Sequence, residues 1–191
     1  MVLNRTVAPT EEPVTLDQAK RHLRVDHNLD DELITAQIQE GREYAESVLL
    51  RSLMSQTWEL CLDAWPQTHY IELPRPPLQE VDTFLYVDSE GVEHELDLSD
   101  YIVDTRSTPG RLVLPYGGSW PSATLSPDNP IQITYVAGYS SSAAIPGSIK
   151  RGILCKVAEL YAERGEPVVG SVVTLQDAAD RLLGPWRVFR G

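Results

Sequence analysis

The chain has 191 residues, of which 42% are hydrophobic, and its formal net charge at pH 7 is -12. This size and composition predict a globular protein with one substantial core, or a core plus a smaller layer, and exclude a fibre or a disordered tail. No stretch approaches the roughly 18 to 20 apolar residues of a membrane span and no signal-peptide pattern is present, so we expect a cytoplasmic protein without membrane association.

The acidic residues are concentrated in the middle of the chain. Asp plus Glu against Lys plus Arg counts 10 against 6 in residues 1–54, 13 against 3 in residues 55–145, and 5 against 7 in residues 146–191. Because the middle segment repels phosphates, we expect no specific nucleic-acid binding. The basic C-terminal segment instead favours an acidic protein partner.

Two helices are predicted in the N-terminal segment. Thr15 followed by Gln18 has the pattern of a capping box, which predicts a short helix that ends near Val25. Apolar residues then recur at intervals of three or four, which predicts a long amphipathic helix that ends near Arg51.

The start of the long helix has two further signals. Leu29 and Ile34 have the spacing of a hydrophobic staple. Asp30, Asp31 and Glu32 place negative charge at the positive end of the helix dipole.

The period changes to that of strands in residues 56–136, where short runs separated by turn residues predict an antiparallel β unit. Residues 88–91 are a good hairpin turn. Residues 74–77 contain three prolines and form a stiff corner between two strand-like runs, because proline fixes φ and forces the preceding residue into extended geometry.

Helical spacing returns after Pro146, and a last short helix is predicted from Thr174 to Gly184. Neither end of the chain has enough apolar faces to form a core alone, so we expect both ends to pack as one bundle. The predicted fold class is α+β: a helical bundle with an inserted antiparallel β unit, a small sandwich or barrel. The predicted parts are the N-terminal half of the bundle (residues 1–54), the β unit (55–145) and the C-terminal half with its tail (146–191).

No pattern in the sequence predicts a catalytic residue, a cofactor or a metal site. Residues 26–30 imitate the start of a calcium loop, but Asp31 stands where the loop needs glycine and Gln37 where it needs glutamate. The four histidines lack a metal-binding spacing, and residues 138–142 lack the second glycine of a nucleophile elbow. The sequence patterns therefore give no positive support to an enzyme.

The aromatic residues leave two interpretations open. Those of the β unit could line a carbohydrate platform, although burial is the favoured use of aromatic residues in strands. The role of Trp120, which lies in a glycine- and proline-rich loop, is left undecided between the two. The C-terminal residues 186–190 combine two large aromatics with two arginines, which are residue types that dominate interface hot spots. A frayed end is the equally weighted alternative.

Taken together, these segments resemble the head-tail connector (adaptor) proteins of long-tailed bacteriophages, prophages and gene transfer agents. The resemblance covers nearly the whole chain and rests on the order and spacing of its pieces. These are residues 14–26, 30–34, 56–60, the proline corner with Leu78, residues 86–88, 135–139, the helix after Pro146, and the aromatic, basic tail 184–190.

The resemblance implies a structural virion protein at the head-tail junction, assembled in the host cytoplasm and not an enzyme. Such proteins form a ring, usually a dodecamer, whose wall is the helical bundle. The ring binds the portal protein, extends the DNA channel without binding DNA specifically, and offers a surface to a downstream stopper or tail-completion protein. A carbohydrate- or protein-binding β module without ring assembly is the alternative, and a small hydrolase is a more distant one.

Two sets of site residues follow as hypotheses. The basic and aromatic C-terminal residues are the candidates for portal binding: Arg181, Trp186, Arg187, Val188, Phe189 and Arg190. The acidic candidates for the channel lining are Asp30, Asp31 and Glu32, with the acidic β unit as the other choice.

Overall fold

Residues 1–162 and 172–188 are described by the computed structural model, and they fall into two units. The β unit comprises residues 1–9 and 55–138, and the helical unit comprises the remainder of the chain. The predicted α+β class is confirmed. Two of the predicted limits differ from these units, because residues 1–9 group with the β unit and residues 139–145 with the helical unit.

The described residues of the helical unit form four α-helices. They are α1 (Leu16–Leu23), α2 (Asp31–Leu49), α3 (Gly147–Ala162) and α4 (Val172–Leu183), and the short 3-10 turns Ser142–Ala144 and Gly184–Trp186 precede α3 and follow α4. The capping box predicted for α1 is confirmed. The Thr15 side chain accepts a hydrogen bond from the Gln18 amide at 3.2 Å, and Gln18 Oε1 accepts one from the Thr15 amide at 3.0 Å.

The predicted hydrophobic staple at the start of α2 is wrong. Ile34 is fully buried, but the side chain of Leu29 is 90% exposed. The reason lies in the N-cap residue: Asp30 has φ -105° and ψ 9° instead of the extended geometry that folds the preceding residue back onto a helix. Leu29 therefore stands in solvent.

The helices of this unit approach one another through glycines. A Cβ added to Gly41 in α2 would lie 3.3 Å from Val157 Cγ2 of α3. One added to Gly152 in α3 would lie 2.9 Å from Cδ2 of Leu183, the last residue of α4. Small residues are therefore required where these helices cross. The core around them also includes Val14, Ala19, Ile34, Ile38, Ala45, Leu49, Leu53, Met54, Ile145, Ile149 and Ile153.

A charged network is buried beside this core. Arg42 is 3% exposed, and its guanidinium donates to Glu12 Oε2 at 2.9 Å and to Glu46 Oε2 at 3.2 Å. The second oxygen of Glu46 accepts the Leu53 amide at 2.8 Å. The Arg42 charge is thus paired, and Glu46 also satisfies a backbone group just beyond the end of α2.

The β unit contains two antiparallel sheets. Its strands are β1 (Val2–Val7), β2 (Gln56–Leu62), β3 (Tyr70–Leu73), β4 (Leu78–Val87), β5 (Glu93–Glu95), β6 (Ile102–Asp104), β7 (Gly110–Val113) and β8 (Ile131–Ala137). The strand orders are β1-β2-β8-β4-β5 and β3-β7-β6. Among the described strands each sheet has two open edges, so the β unit forms no closed barrel.

Strand β1 corrects the expectation that residues 1–54 lie wholly in the helical part. It pairs antiparallel with β2, with Leu3 opposite Leu60. Five of its six residues are exposed, so it forms an edge strand held largely by backbone hydrogen bonds. A strand without a buried face has no alternating apolar pattern, which is why the sequence did not reveal it.

The proline corner carries the chain from one sheet to the other, from β3 to β4. The hydroxyl of Tyr135, a buried residue of β8, donates to the carbonyl of Pro74 at 2.9 Å. The guanidinium of Arg75 lies 5.3 Å from the centroid of the Trp58 ring. These contacts fix the corner on the core of the β unit, which also contains Leu60, Ile71, Leu73, Leu78, Phe84, Leu112, Ile131, Ile133 and Ala137.

Candidate functional site

Residues 184–188, the described part of the segment after α4, are held on the helical unit by three hydrogen bonds. Arg51 Nε donates to the carbonyl of Trp186 at 2.7 Å, and the Trp186 indole donates to Ser148 Oγ at 2.8 Å. The amide of Val188 donates to the carbonyl of Leu49 at 2.9 Å. The described part of the tail is therefore an ordered surface of the helical unit, bound to both α2 and α3.

The predicted portal-binding residues divide into two kinds. Arg181, Trp186 and Arg187 are exposed, and Trp186 keeps 36% of its surface accessible despite its two hydrogen bonds. Val188 is only 7% exposed, so its side chain packs inside the unit. Residues 189–190 lie outside the described residues. The structure thus separates an exposed aromatic and basic surface from the residue that anchors it.

A second contact fixes the helix that precedes the tail. The Tyr44 hydroxyl of α2 donates to Asp180 Oδ1 of α4 at 2.5 Å. Burial and then this bond to the Asp180 carboxylate raise the pKa of Tyr44 to about 12. Tyr44 therefore keeps its proton at physiological pH and holds α4 against α2.

The predicted channel residues come together in the first turn of α2, but their surroundings differ. Asp30 Oδ2 accepts a hydrogen bond from the Tyr161 hydroxyl at 2.6 Å, and Asp31 pairs with Lys20 Nζ at 2.6 Å. Both carboxylates are partly buried, whereas Glu32 is exposed. Asp30 and Asp31 thus connect elements within the helical unit, and Glu32 directs charge to solvent.

The acidity of the β unit is densest around the β4–β5 hairpin. Residues 88–100 contain six Asp or Glu and neither Lys nor Arg. The predicted turn is confirmed: Asp88 Oδ1 accepts the amides of Glu90 at 2.9 Å and Val92 at 3.0 Å. Asp88 Oδ2 lies 2.6 Å from His94 Nε2, and this bond, followed by the backbone amides, lowers the pKa of Asp88.

An open cleft lies directly after this hairpin. Its volume is about 430 Å³, and its lining consists of Glu95, Leu96, Asp97 and Leu98. The two leucines are partly buried against the core, whereas the two acidic residues are exposed. The cleft therefore has an apolar floor and an acidic rim.

The aromatic residues of the β unit stack on one another. The ring of Trp120 is nearly parallel to those of Trp65 (centroids 5.7 Å apart, planes at 4°) and Tyr101 (5.9 Å, 16°). Its indole donates to the Thr68 carbonyl at 2.9 Å. Trp120 is therefore a partly buried member of an aromatic cluster, where its ring contributes to packing. No local periodicity indicated this, since Trp120 lies in an irregular loop.

Two further properties concern residues 1–162 and 172–188. Within them, no group of three or more His, Cys, Asp or Glu side chains is placed to hold a metal ion. None of the described helices is long and apolar enough to cross a membrane.

The fold and these surfaces define a class: an α+β protein of two units that carries an anchored aromatic and basic segment on one unit and a strongly acidic surface on the other. A family model matches part of the sequence. Residues 13–104, just under half of the chain, match the model of the family described as phage gp6-like head-tail connector protein. The predicted resemblance to head-tail connector proteins is therefore confirmed. No curated protein matches the sequence.

Solved structures share the fold over the whole chain. The first is the neck of an empty gene transfer agent particle computed with C6 symmetry, with 21% identity and a TM-score of 0.82, covering 100% of this chain and 97% of that one. The neck of the native particle computed with C12 symmetry and the virion of the native particle match at 20% identity, with TM-scores of 0.80 and 0.79 and the same coverage.

Proposed function

We propose that the protein is a structural subunit of the neck of a phage-like particle, assembled in the host cytoplasm, where it connects the portal to the next tail component. The observation that carries this proposal is the agreement between the family match of residues 13–104 and the fold shared with a neck chain at a TM-score of 0.82 over the full length. The role is structural and not catalytic, and it requires no cofactor.

The subunit works as part of a homo-oligomeric ring. The solved necks of similar fold were computed with C6 and C12 symmetry, which supports a dodecamer here. A closed ring of identical chains needs two different complementary surfaces on each subunit. The portal lowers the entropic cost of gathering the copies, so free subunits can be monomers and still form a ring on it.

The C-terminal segment binds the portal protein. Arg187 and Trp186 are exposed, of the residue types typical of hot spots, and held in place before binding by the bonds to Arg51 and Ser148. A segment that is already ordered loses less conformational entropy on docking. Val188 acts as the anchor, and Arg181, Phe189 and Arg190 complete the docking surface.

Acidic residues line the DNA channel, which passes DNA without specific binding. A negatively charged wall repels the phosphates, so no attractive contact has to break at each step of DNA movement. Glu32 is the best candidate of its group because it is exposed, whereas Asp30 and Asp31 are engaged with Tyr161 and Lys20. The acidic hairpin of the β unit is the other candidate surface.

Electron microscopy of the protein mixed with the portal protein of the same particle tests this function. A coaxial collar on the portal is expected, and the absence of any complex would refute the proposal. Deletion of residues 185–191 tests the docking segment, and undiminished portal binding would exclude it. Because the deletion also removes the Val188 anchor, Arg187→Glu is the point variant, with Arg106→Glu on the exposed surface of the β unit as its matched control.

The alternative, a carbohydrate- or protein-binding β module without a ring, receives less support. Its best candidate platform residue, Trp120, is partly buried and engaged with the rings of Trp65 and Tyr101. That alternative predicts no collar in the same experiment.

A further inference from the structure

Three stretches of the chain that lack acidic residues meet on the helical unit. They contain no Asp or Glu in a chain that has 28, and they are residues 47–54, 139–158 and 181–188. Trp186 joins all three, because its carbonyl accepts a hydrogen bond from Arg51 and its indole donates one to Ser148. The charged side chains of these stretches are therefore all positive, in a chain whose net charge is -12.

Three arginines lie close to Trp186. Arg51 Nε donates to the Trp186 carbonyl at 2.7 Å, and Arg187 follows Trp186 directly in the chain. Arg151 comes three residues after Ser148 in α3, so the two side chains are neighbours on the helix surface. Arg151 and Arg187 are exposed, and Trp186 keeps 36% of its surface accessible. We call Arg51, Arg151, Trp186 and Arg187 the basic platform.

The charge of the basic platform is not neutralised by the described part of the chain. None of its three arginines forms an ion pair with a carboxylate of residues 1–162 or 172–188, where the ion pairs of the helical unit use Lys20, Arg42 and Lys156. Asp180, which directly precedes the last acid-free stretch, accepts the Tyr44 hydroxyl at 2.5 Å. The platform therefore presents uncompensated positive charge around an exposed aromatic ring.

We infer that the basic platform docks on an acidic surface of the portal protein, where Trp186 enters an apolar recess and Arg151 and Arg187 face carboxylates at its edge. This inference rests on the proposed function. It adds the chemistry of the portal surface and a contact residue, Arg151, that lies outside the C-terminal segment. Guanidinium groups without a partner form their strongest hydrogen bonds with carboxylates, and an aromatic ring flanked by arginines is typical of a protein hot spot.

A protein surface fits the basic platform better than DNA does. The net charge of -12 repels phosphates, so three arginines gain little from a polyanion as extended as DNA. An aromatic side chain stacks on bases only where they are unpaired, so duplex DNA offers nothing to the ring of Trp186. An acidic patch with an apolar centre matches both parts of the platform.

Charge reversal is the first test. Arg151→Glu is expected to weaken binding to the purified portal protein by roughly 10-fold or more, because a glutamate then faces carboxylates. Lys150→Glu is the matched control: it changes the net charge equally in the same helix, but residues two apart do not share a face, so Lys150 lies away from Ser148. The control should lose much less affinity. Circular dichroism confirms that both variants fold.

Salt dependence is the second test. Binding of the wild type to the portal should weaken as the salt concentration rises, because salt screens contacts between opposite charges. The dependence should be shallower in Arg151→Glu and unchanged in Lys150→Glu. A wild-type affinity that does not vary with salt would contradict an acidic portal surface.

The local potential at Trp186 is the third test, and it needs no partner. The fluorescence of Trp186 is obtained as the difference between the wild type and Trp186→Phe. Iodide, an anion, is expected to quench this signal more strongly than caesium, a cation, because the surrounding arginines attract anions. Arg151→Glu should narrow the difference. Stronger quenching by caesium in the wild type would overturn the inference.

The outcomes separate the inference from the proposed function. If the wild type binds the portal and Arg151→Glu binds it as well as Lys150→Glu does, the inference is overturned and the proposed function stands. If Arg151→Glu instead abolishes binding to duplex DNA or self-association of free copies, with portal binding unchanged, the platform serves that ligand and the inference is again overturned. A wild-type chain that binds no portal would overturn both.

Discussion

Replacement of Gly152 by alanine tests the packing that positions the C-terminal segment. The new Cβ would lie 2.9 Å from Cδ2 and 3.0 Å from Cγ of Leu183, a fully buried residue. Alanine in a helix interior is favoured over glycine by about 1 kcal/mol, but forcing a methyl group into a filled core costs about 1–3 kcal/mol. We therefore expect Gly152→Ala to destabilise the helical unit by up to about 2 kcal/mol, measured by urea unfolding followed at 222 nm.

Two further variants make this expectation specific. Gly147→Ala is the matched control in the same helix, because its Cβ would meet nothing within 4 Å, and it should not destabilise the protein. Leu183→Ala alone should cost about 2–5 kcal/mol, whereas its combination with Gly152→Ala should cost less than the sum, since the space vacated by one residue receives the other. A Gly152→Ala variant more stable than the wild type by about 1 kcal/mol would refute the close approach of α3 and α4.

Two other predictions concern charged groups. Arg42→Ala should destabilise the helical unit by about 3–5 kcal/mol, because it leaves the buried carboxylate of Glu46 without the Arg42 cation. Urea unfolding measures this loss, and the control Arg106→Ala, at an exposed position, should change the free energy of unfolding little. The pKa of Asp88 is lowered in the folded state. The stabilisation of the hairpin by the ionised Asp88 carboxylate is therefore fully present above the ordinary Asp pKa, and it is lost as pH falls through the lowered value. The protection factor of the Val92 amide, which donates to Asp88 Oδ1, should therefore fall on acidification more than it does in Asp88→Asn, and the same pH dependence in that variant would contradict the argument.

Elements with a buried face were predictable, and those without one were not. The pattern of β8 alternates strictly, and the structure buries every second residue from Ile131 to Ala137. The helix α1 was found from its capping box alone. Strand β1 has no buried face and left no periodic signal. The prediction of the hydrophobic staple was wrong for another reason. The spacing of Leu29 and Ile34 gives their separation along the chain but not the dihedral angles of Asp30 between them.

The candidate surfaces follow the same division. The basic and aromatic tail was visible as composition, but the burial of Val188 depends on a backbone bond to Leu49, a residue far away in the sequence. The exposure of Leu29 was hidden because the residue fits an amphipathic pattern that the backbone does not complete. The cleft was hidden because Leu96 and Leu98 alternate with acidic residues, which is equally typical of an ordinary half-buried strand.

The distribution of charge connects the fold with the assembly. Each chain carries -12, so copies that gather in the proposed ring would repel one another, and the total charge would oppose assembly. At physiological ionic strength this repulsion is screened beyond about 8 Å, and close contacts of opposite sign therefore decide whether neighbours attract. The described surface offers both signs of charge, because Arg181 and Arg187 are exposed on the helical unit and Glu95 and Asp97 are exposed on the β unit. For the proposed ring to form, contacts of opposite sign between neighbouring copies have to outweigh the repulsion that an acidic channel wall adds.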